Sequence, residues 1–436
     1  LRCPEGGTAF SVEQAREVAA RIGYPVLVRP SYVLGGRAME IVSDEQQLDV
    51  YMAKAVDAST VGRDHPILID KFLAGATEVD VDCIADFGAS RESRVMAAEG
   101  TKETEEAPDP RAPESSVASA ASAAATHKPR AVICGVMEHI EEAGVHSGDS
   151  ACALPPFSLS DEVVAEIERQ AKLLAERLEV RGLMNIQFAV KDGEVYIIEV
   201  NPRASRTVPF VSKATGVPWA KLAAKVMAGK SLAELGVTEA QRPAQTSVKE
   251  SVFPFTKFPG VDVILGPEMR STGEVMGADM SFPLAFAKSQ MAAGVNLPTE
   301  GTVFLSVRDA DKPKAAALGK RLAKMNFSLV ATGGTHEALA EAGVPSRRID
   351  KLVEGRPNIA DLMANGEVHL LINTPTRRGP TTDEGKIRAM ATLRNLPLIT
   401  TMTAAAAAVE GIVALREGAV GGGWGVRALQ DYFPDA

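Results

Sequence analysis

The sequence lacks the features that would mark a membrane protein, a nucleic-acid-binding protein or a disulfide-rich protein. No uninterrupted apolar run reaches the ~20 residues that a membrane-spanning helix needs, and a glutamate interrupts the Ala-rich stretch 404–415. The formal net charge of −9 argues against nucleic acid as the main partner. The four cysteines have no paired spacing, so we expect reduced thiols in a soluble intracellular protein.

The remaining composition is that of an ordinary globular protein. Hydrophobic residues make up 45% and charged residues 24% of the 436 residues, which is enough for sizeable cores. The length corresponds to roughly three domains. The sequence opens at Leu1 without a methionine or a signal pattern, and we therefore interpret it as a piece of a longer protein.

Residues 181–203 carry the most informative pattern, a β-hairpin with one apolar face and one face of oxygen ligands. The even positions are apolar or aromatic: Ile186, Phe188, Val190, Tyr196, Ile198 and Val200. The odd positions at the open end are Asn185, Gln187, Glu199 and Asn201. A three-residue loop, 192–194, places Gln187 opposite Glu199, whereas a two-residue loop would put them on opposite faces. These oxygens suit Mg²⁺ shared with nucleotide phosphates, although an ordinary half-buried hairpin fits the pattern equally well.

A helix and three strands are predicted in the first part of the chain. The helix spans 11–22, between a serine that can cap it and a glycine that ends it. Buried strands are predicted over 24–29 and 67–72. A third strand, 78–84, alternates strictly between polar and apolar residues, so we expect one of its faces to be solvated.

Residues 88–130 interrupt this pattern. They are rich in Ala, Ser, Glu, Thr and Pro and contain almost no large apolar side chains. Such a segment cannot bury enough surface to offset the entropy lost on ordering. We predict a disordered insertion in the loop between a strand through Cys83 and a strand that begins at Ala131. A helix is predicted after them, over 160–178.

Basic and glycine-rich segments close to these elements favour a phosphorylated ligand. Arg29 and the Gly-Gly-Arg loop 35–37 follow a strand, where guanidinium and backbone N–H groups can bind phosphate. Arg203 and Arg206 directly follow the metal strand and suit an anion that is being phosphorylated. The polar loop 146–150 is typical of a segment over a nucleotide. A plain turn and surface arginines are the alternatives.

The region from about residue 294 onward predicts a separate unit. Strands over 303–307, 327–330, 369–372 and 396–400 alternate with helices over 312–324, from 336, over 383–394 and over 404–415. This alternation predicts a parallel sheet with helices on both sides and ligands at the carboxyl ends of the strands. The segment 332–335 at a helix start is either an anion site or a plain turn. Lys312, Lys351, Asn373 and Thr374 lie in loops that could converge on it, which favours a phosphorylated small molecule.

Four motifs resemble the large subunit of carbamoyl phosphate synthetase: residues 29–41, 138–152, 201–206 and 265–275. The resemblance covers nearly the whole chain outside the insertion and implies the carboxyl-terminal half of that subunit. The implied fold class is α/β and α+β. An ATP-grasp fold without its amino-terminal subdomain would span 1–240, and a connecting segment would span 241–293. A parallel-sheet, methylglyoxal-synthase-like (Rossmann-like) allosteric domain would span 294–436.

The resemblance also implies a reaction. The family makes carbamoyl phosphate from bicarbonate, glutamine-derived ammonia and two ATP, for pyrimidine and arginine synthesis, and this half would phosphorylate carbamate. The implied ATP-binding residues are Arg29, Lys71, Leu73, Glu78, Gly144, Val145, His146, Ser147, Gln187 and Glu199. The implied Mg²⁺ or Mn²⁺ ligands are Gln187, Glu199 and Asn201. Asn201, Arg203 and Arg206 would act in catalysis, by positioning and charge neutralisation without a covalent enzyme intermediate.

Allosteric control is implied for the carboxyl-terminal domain. Effectors such as UMP or IMP would bind Ser306, Lys312, Thr332, Thr335, Lys351, Asn373 and Thr374. An effector of the ornithine class would bind Glu141, Asp149 and Glu250, whose carboxylates suit amines. Pro375 stands where the family often has a hydroxyl-bearing residue, which leaves the identity of the effector open.

The implied partner is a glutaminase small subunit or domain, in a hetero-oligomer. Residues 428–433 resemble plant and algal members of the family, which favours the plastid stroma over the cytoplasm. Two other interpretations remain open. Another ATP-grasp ligase or a biotin-dependent carboxylase would share the metal hairpin, but we would not expect motif 265–275 or the regulatory unit in it. A catalytically incomplete fragment would act as a regulatory or assembly module.

Overall fold

The computed structural model describes residues 1–31, 38–58, 66–88, 130–237, 242–258, 260–375, 379, 381–420 and 424–433. The strands are β1 Gly6–Ala9, β2 Val26–Pro30, β3 Glu40–Val42, β4 Ile67–Lys71, β5 Thr77–Asp86, β6 Ala131–His139, β7 Cys152–Leu154, β8 Arg181–Lys191, β9 Glu194–Asn201, β10 Thr246–Val252, β11 Gly273–Asp279, β12 Thr302–Ser306, β13 Ser328–Ala331, β14 Arg347–Arg348, β15 Leu370–Asn373 and β16 Leu398–Ile399. The α-helices are α1 Val12–Ile22, α2 Glu45–Ala58, α3 Asp161–Arg177, α4 Val208–Thr215, α5 Trp219–Met227, α6 Phe282–Ala292, α7 Lys312–Lys324, α8 Gly333–Glu341, α9 Ile359–Ala364, α10 Asp383–Leu393 and α11 Met402–Val420. Two sequence predictions, the loop 35–37 and most of the insertion 88–130, lie outside the described residues.

The amino-terminal sheet has four strands in the order β1-β4-β2-β3, and α1 and α2 share its core. The predicted helix over 11–22 is confirmed. Ser11 accepts a hydrogen bond from the Gln14 N–H and caps α1, and Gly23 ends it at a positive φ of 76°. The apolar residues of α1 and the strands form one compact core, which leaves the other face of this small sheet free to cover a ligand.

The central sheet has seven strands in the order β11-β10-β7-β6-β5-β8-β9, with antiparallel neighbours. The segment 241–293, expected to connect the two domains, contributes β10 and β11 to one edge of this sheet. Helix α6 packs very closely on these strands. A Cβ atom at Gly277 would lie 2.2 Å from the Ala285 carbonyl oxygen, so glycine is required there.

The hairpin of β8 and β9 pairs Gln187 with Glu199 as predicted, but it does so through a different turn. The turn has two residues, Asp192 (φ 51°) and Gly193 (φ 79°), rather than three. Positive φ at both positions is typical of the type I′ turn that Asp-Gly favours. A bulge beside Gln187 leaves Ile198 unpaired and restores the register. The predicted three-residue loop was therefore wrong, and a bulge compensates for the missing residue.

The bulge also changes which side chains of β9 are buried. Val195 and Ile197, rather than Tyr196 and Ile198, join the core that contains Phe188. Tyr196 and Ile198 are half-buried, so their predicted place on the dry face was wrong. The reason is that one extra residue on one strand inverts the alternation of all residues between it and the turn.

Strand β5 is buried on both faces, and the predicted solvated face was wrong. It lies between β6 and β8 in the sheet. Val79 and Val81 pack into the core under α3, while Asp80 and Asp82 are each only 1% exposed. The polar alternation therefore marks a face that is covered by other parts of the chain.

The carboxyl-terminal sheet is parallel, in the order β14-β13-β12-β15-β16, which confirms the predicted α/β unit. Val303 and Leu305 of β12 face a core shared with α7 and α11, and Phe304 faces a second core with α9 and α10. Helices therefore cover both sides, as predicted. The sequence did not predict β14 or α9. The first of these cores continues into residues of β10 and α6, so the unit is packed directly against the central sheet. Within the described part of the chain, no helix is both long enough and apolar enough to cross a membrane.

Candidate functional site

A cavity of about 950 Å³ opens between the four-stranded sheet and the seven-stranded sheet. All thirteen residues predicted to bind nucleotide, bind metal or act in catalysis line it: Arg29, Lys71, Leu73, Glu78, Gly144, Val145, His146, Ser147, Gln187, Glu199, Asn201, Arg203 and Arg206. These residues come from both sheets and from three loops. The cavity therefore depends on how the two sheets pack, and it is large enough for a nucleotide.

Two basic side chains line the part of the cavity formed by the small sheet. The guanidinium of Arg29 lies 3.0 Å from a carboxylate oxygen of Asp70, but its buried Nε has no hydrogen-bond partner. Lys71 donates through Nζ to the carbonyl oxygens of Gly23 and Tyr24, at 2.9 and 3.0 Å. A buried guanidinium N–H without an acceptor is costly, and a phosphate oxygen would satisfy it. This atom supports the fit of an anionic ligand.

The loop after β6 is attached to the cavity wall by a carboxylate. The Gly144 N–H donates to Glu78 at 2.9 Å, with φ of 93° at Gly144. A Cβ atom there would lie 2.9 Å from Ile41 Cδ1 and 3.1 Å from Phe72 Cε2. Only glycine combines this backbone conformation with this close approach. The loop is thereby held near enough for its backbone to contact a ligand.

A buried histidine stands behind this wall, although the sequence gave no reason to assign it a role. His139 Nε2 lies 3.0 Å from Asp80 and its Nδ1 lies 3.5 Å from Glu78. Burial by itself lowers the pKa of His139, but the hydrogen bond with Asp80 and the nearby carboxylate of Glu78 outweigh burial and raise the pKa to about 9. A charged His139 offsets two carboxylates that would otherwise repel each other and the phosphates of a nucleotide.

The oxygen ligands of the hairpin meet at the opposite wall. Gln187 and Glu199 are directly paired, and Asn201 donates through Nδ2 to Glu199 at 2.7 Å. Arg203 donates to the Asn201 side-chain oxygen at 3.1 Å. Carboxylate and amide oxygens on one face at the edge of a nucleotide-sized cavity are a donor set that suits Mg²⁺ or Mn²⁺. The arginine beside them places positive charge where a transferring phosphoryl group would need it.

Lys249 is a cavity residue that the sequence analysis missed. It lies on β10, is 1% exposed, and donates through Nζ to the carbonyl oxygens of Ser147 and Ser150, at 3.3 and 2.7 Å. It fixes the loop that contains His146 and Ser147. A lysine inside a strand pattern carries no local signal for such a role, because its partners lie about a hundred residues away in the sequence.

Five of the predicted effector residues form one buried network at the carboxyl ends of β12, β13 and β15. They are Ser306, Thr332, Thr335, Asn373 and Thr374. The hydroxyl of Thr332 donates to that of Ser306 at 3.1 Å, and Thr374 accepts from the Arg308 N–H at 3.1 Å. Lys312 lies next to Gly334 at the start of α8, with Nζ 3.1 Å from the position of a Cβ atom there. Lys351 lies beyond β14, in a turn closed by its own N–H and Glu354.

The three predicted amine-binding carboxylates are not equivalent. Burial first, and the neighbouring Glu142 second, raise the pKa of Glu141 to about 7. Burial and then Glu141 raise the pKa of Glu250 to about 8, so these two carboxylates lie close enough to repel each other. Asp149 instead accepts from the backbone N–H groups of Arg270 and Ser271, at 2.8 and 2.9 Å.

The matching family models define the class of protein as an ATP-binding domain followed by an MGS-like domain. The model described as carbamoyl-phosphate synthase L chain, ATP binding domain, matches residues 2–110 and 121–235. The model described as MGS-like domain matches residues 314–400.

The curated relatives narrow this class. The carbamoyl phosphate synthase large chain of Rhodopirellula baltica is 52% identical over 96% of this chain and 35% of the relative. The large chain of Brucella suis is 46% identical over 99% of this chain and 35% of the relative. The carbamoyl phosphate synthase large chain, C-terminal section, of Aquifex aeolicus is 45% identical over 99% of this chain and 76% of the relative. This chain belongs to the carbamoyl phosphate synthase large chain family, which confirms the resemblance found in the sequence, and it spans about a third of the length of the first two relatives.

Solved structures of biotin carboxylases are more distant. The biotin carboxylase domain of Hydrogenobacter thermophilus 2-oxoglutarate carboxylase has a TM-score of 0.46 and 16% identity, over 67% of this chain and 62% of that chain. The biotin carboxylase of Campylobacter jejuni has a TM-score of 0.46 and 15% identity, over 66% of this chain and 63% of that chain.

Proposed function

We propose that this chain transfers the γ-phosphoryl group of ATP to carbamate and forms carbamoyl phosphate. It would be the second synthetic half of a glutamine-dependent carbamoyl phosphate synthase and would supply pyrimidine and arginine synthesis. The observation that carries this proposal is the convergence of thirteen predicted residues from two sheets on one cavity. Membership of the carbamoyl phosphate synthase large chain family supports carbamate as the substrate.

The side chains lining the cavity suit a direct transfer. A carbamate oxygen would attack the γ-phosphorus as the bond to ADP breaks, so that carbamoyl phosphate and ADP leave. Arg29 and Lys71 would hold phosphate oxygens. Arg203 and Arg206 would bind the carbamate and the transferring group, because guanidinium groups match planar anions in geometry and charge. No nucleophilic side chain is needed, and the contribution of the chain is orientation and electrostatic stabilisation.

Gln187, Glu199 and Asn201 would hold Mg²⁺ or Mn²⁺, which neutralises phosphate charge when bound. Asn201 connects this cluster to Arg203 through its side-chain oxygen. Glu199 and Asn201 are also linked by a hydrogen bond. The side chains of Glu199, Asn201 and Arg203 would therefore move as one unit when the nucleotide binds.

The MGS-like domain would sense effectors. We place a nucleoside monophosphate of the UMP or IMP class at the network of Ser306 and Thr332, and an amine of the ornithine class at Glu141 and Glu250. Arg308 supports the coupling of the first site to catalysis. Its guanidinium lies 2.9 Å from Glu142, and Glu142 directly precedes the loop residues 143–147 that line the cavity. The whole enzyme would take ammonia from a glutaminase partner and would therefore be a hetero-oligomer.

The test is ATP formation from ADP and carbamoyl phosphate, with this chain and with a version extended at its amino end. Acetyl phosphate is the matched control, because a methyl group replaces the amide nitrogen. We expect ATP formation from carbamoyl phosphate in the extended version at least. Equal rates with acetyl phosphate would favour a less specific ATP-grasp ligase. No ATP formation in either version, with UMP or IMP still binding, would leave a regulatory module as the better interpretation.

A further inference from the structure

A buried cluster of hydrogen bonds lies beneath the catalytic arginines and is not part of the cavity chemistry described so far. Asp82 of β5 is 1% exposed. Its Oδ1 accepts from the Ser205 hydroxyl at 2.7 Å and from the Asn185 amide at 2.9 Å, and its Oδ2 lies 2.7 Å from the Thr207 hydroxyl oxygen. The hydroxyl oxygens of Ser205 and Thr207 lie 2.7 Å apart.

These contacts form a closed ring, which we call the Asp82 ring: Asp82, Ser205 and Thr207. Three oxygen–oxygen contacts of hydrogen-bond length require three hydrogens. The two hydroxyl groups supply two of them, because each carries one hydrogen. The third must sit on the carboxyl group, so that Asp82 donates to Thr207, Thr207 to Ser205, and Ser205 back to Asp82. An ionised Asp82 would leave one pair of oxygens in contact without a hydrogen between them.

The surroundings of Asp82 shift its equilibrium towards this neutral form, which predominates below about pH 6. Burial raises the pKa of Asp82 to about 6, and the charge of Asp80 adds to the increase. The hydrogen bonds that Thr207, Ser205 and Asn185 would donate to an ionised carboxylate act in the opposite direction. No lysine or arginine forms an ion pair with Asp82 among the described residues.

The Asp82 ring fixes the segment that carries the phosphoryl-binding side chains. Arg206 lies between Ser205 and Thr207 in the sequence, and Arg203 lies two residues before Ser205. Both arginines line the cavity. Asn185, the third partner of Asp82, pairs with Asn201 across the hairpin. One buried carboxyl group is therefore connected to the segment after β9 and to β8, the strand that carries Gln187 and pairs with Glu199 and Asn201.

We propose that Asp82 is a positioning residue that holds Arg203 and Arg206 through a neutral, fully hydrogen-bonded ring with Ser205 and Thr207. The inference rests on the proposed function for the role of the two arginines. An amide can replace a neutral carboxyl group in the ring, since it also offers one acceptor and one donor. A hydrocarbon of similar size cannot. At position 207, serine keeps the ring hydroxyl and valine removes it at nearly constant volume.

The test measures ATP formation from ADP and carbamoyl phosphate in four variants of the chain, in the version that is active. We expect Asp82→Asn and Thr207→Ser to keep kcat within about threefold of the parent. We expect Asp82→Leu and Thr207→Val to lower kcat by roughly 100-fold, as displacement of catalytic groups by about 1 Å does, with little change in the KM for ADP. If Asp82→Asn is as damaging as Asp82→Leu, the group acts as an ionised carboxylate. If Thr207→Val keeps the parental kcat, the ring does not position the arginines.

Trypsin cleavage after Arg203 and Arg206 provides a reading that does not depend on activity. Its rate is compared with cleavage after the exposed Arg394 in the same molecule. Asp82→Leu and Thr207→Val should accelerate cleavage after Arg203 and Arg206 relative to cleavage after Arg394. Asp82→Asn and Thr207→Ser should leave this ratio unchanged. Should the parent form no ATP, the proposed function fails, and this ratio still decides whether the ring holds the segment.

Discussion

The guanidinium of Arg388 is completely buried and binds both carboxylate oxygens of Asp262, at 2.8 and 2.7 Å. Its remaining nitrogen donates to the side-chain oxygen of Asn373 at 2.8 Å. Asn373 belongs to the predicted effector network. Asp262 lies midway along the segment between β10 and β11, which contributes Pro267 and Met269 to the lining of the cavity. A single arginine thus connects the effector region to a wall of the proposed catalytic site.

Replacement of Arg388 by Gln is expected to uncouple the two regions. It leaves a buried carboxylate without its cation, which costs about 3–5 kcal/mol of unfolding free energy. Among folded molecules, effectors should still bind but should change the rate of ATP formation less than in the parent. The measurement is the ratio of rates with and without saturating UMP or IMP, together with a denaturation curve.

The matched control for this prediction is Arg394→Gln, just beyond the end of the same helix, where the arginine is exposed and donates to the backbone carbonyl of Met390. The double variant Asp262→Leu with Arg388→Met removes both charges and should recover much of the lost stability without restoring the coupling. An effector response of parental size in the double variant would show that the ion pair carries no signal.

Glu199→Gln tests the metal site. The amide keeps the shape and the hydrogen bond from Asn201 but removes the negative charge of the cluster. We expect the affinity of Mg²⁺-nucleotide to fall on the order of 10- to 100-fold or more, and ATP formation to fall with it. Isothermal titration with MgADP measures the first effect. Glu194→Gln, at the turn end of the same hairpin, is the control and should behave as the parent.

Gly144→Ala tests the loop over the cavity. The added Cβ atom faces Ile41 and Phe72 at about 3 Å, and φ of 93° is strained for alanine. We expect the loop to move away from Glu78 and the affinity for nucleotide to fall at least tenfold. Gly294→Ala is the matched control, because Gly294 also has positive φ (87°) but has no atom within 4 Å of its Cβ position. Equal nucleotide affinities in the two variants would rule out the steric argument.

His139→Gln should change how stability depends on pH. The pKa of His139 is about 9 in the folded state and 6.5 ordinarily, so between pH 6.5 and 9 the folded state binds more protons than the unfolded state. The contribution of His139 to the free energy of unfolding is therefore complete below about pH 6.5 and is lost as pH rises through 9. The loss is on the order of 3 kcal/mol. Glu141 and Glu250 titrate in overlapping windows, so the quantity to measure is the difference in unfolding free energy between parent and variant from pH 6 to 10. A difference that stays constant over this range would contradict the assignment.

Local patterns were enough to predict many of the regular elements and the family. The serine cap and the terminal glycine define α1, because capping involves only neighbouring residues. The repeated strand–helix alternation after residue 294 defines a parallel sheet, because parallel strands need long crossover connections. The motifs that carry the resemblance are contiguous stretches, so they can be read without the fold.

Contacts between distant residues decided what these patterns could not. The alternation of Glu78, Asp80 and Asp82 indicated a solvated strand face, but tertiary packing buries it against His139, Ser205 and Thr207. Gln187 meets Glu199 through a bulge, because the unpaired Ile198 offsets the register that the two-residue turn sets. Lys249 and Arg388 gained their roles only when residues far apart in the sequence came together. The sequence by itself thus determined many of the helices and strands and which chemical groups are present, since both depend on local order. The tertiary structure alone decided which charges are buried, which are paired and which face the cavity, since these depend on residues the chain brings together only on folding.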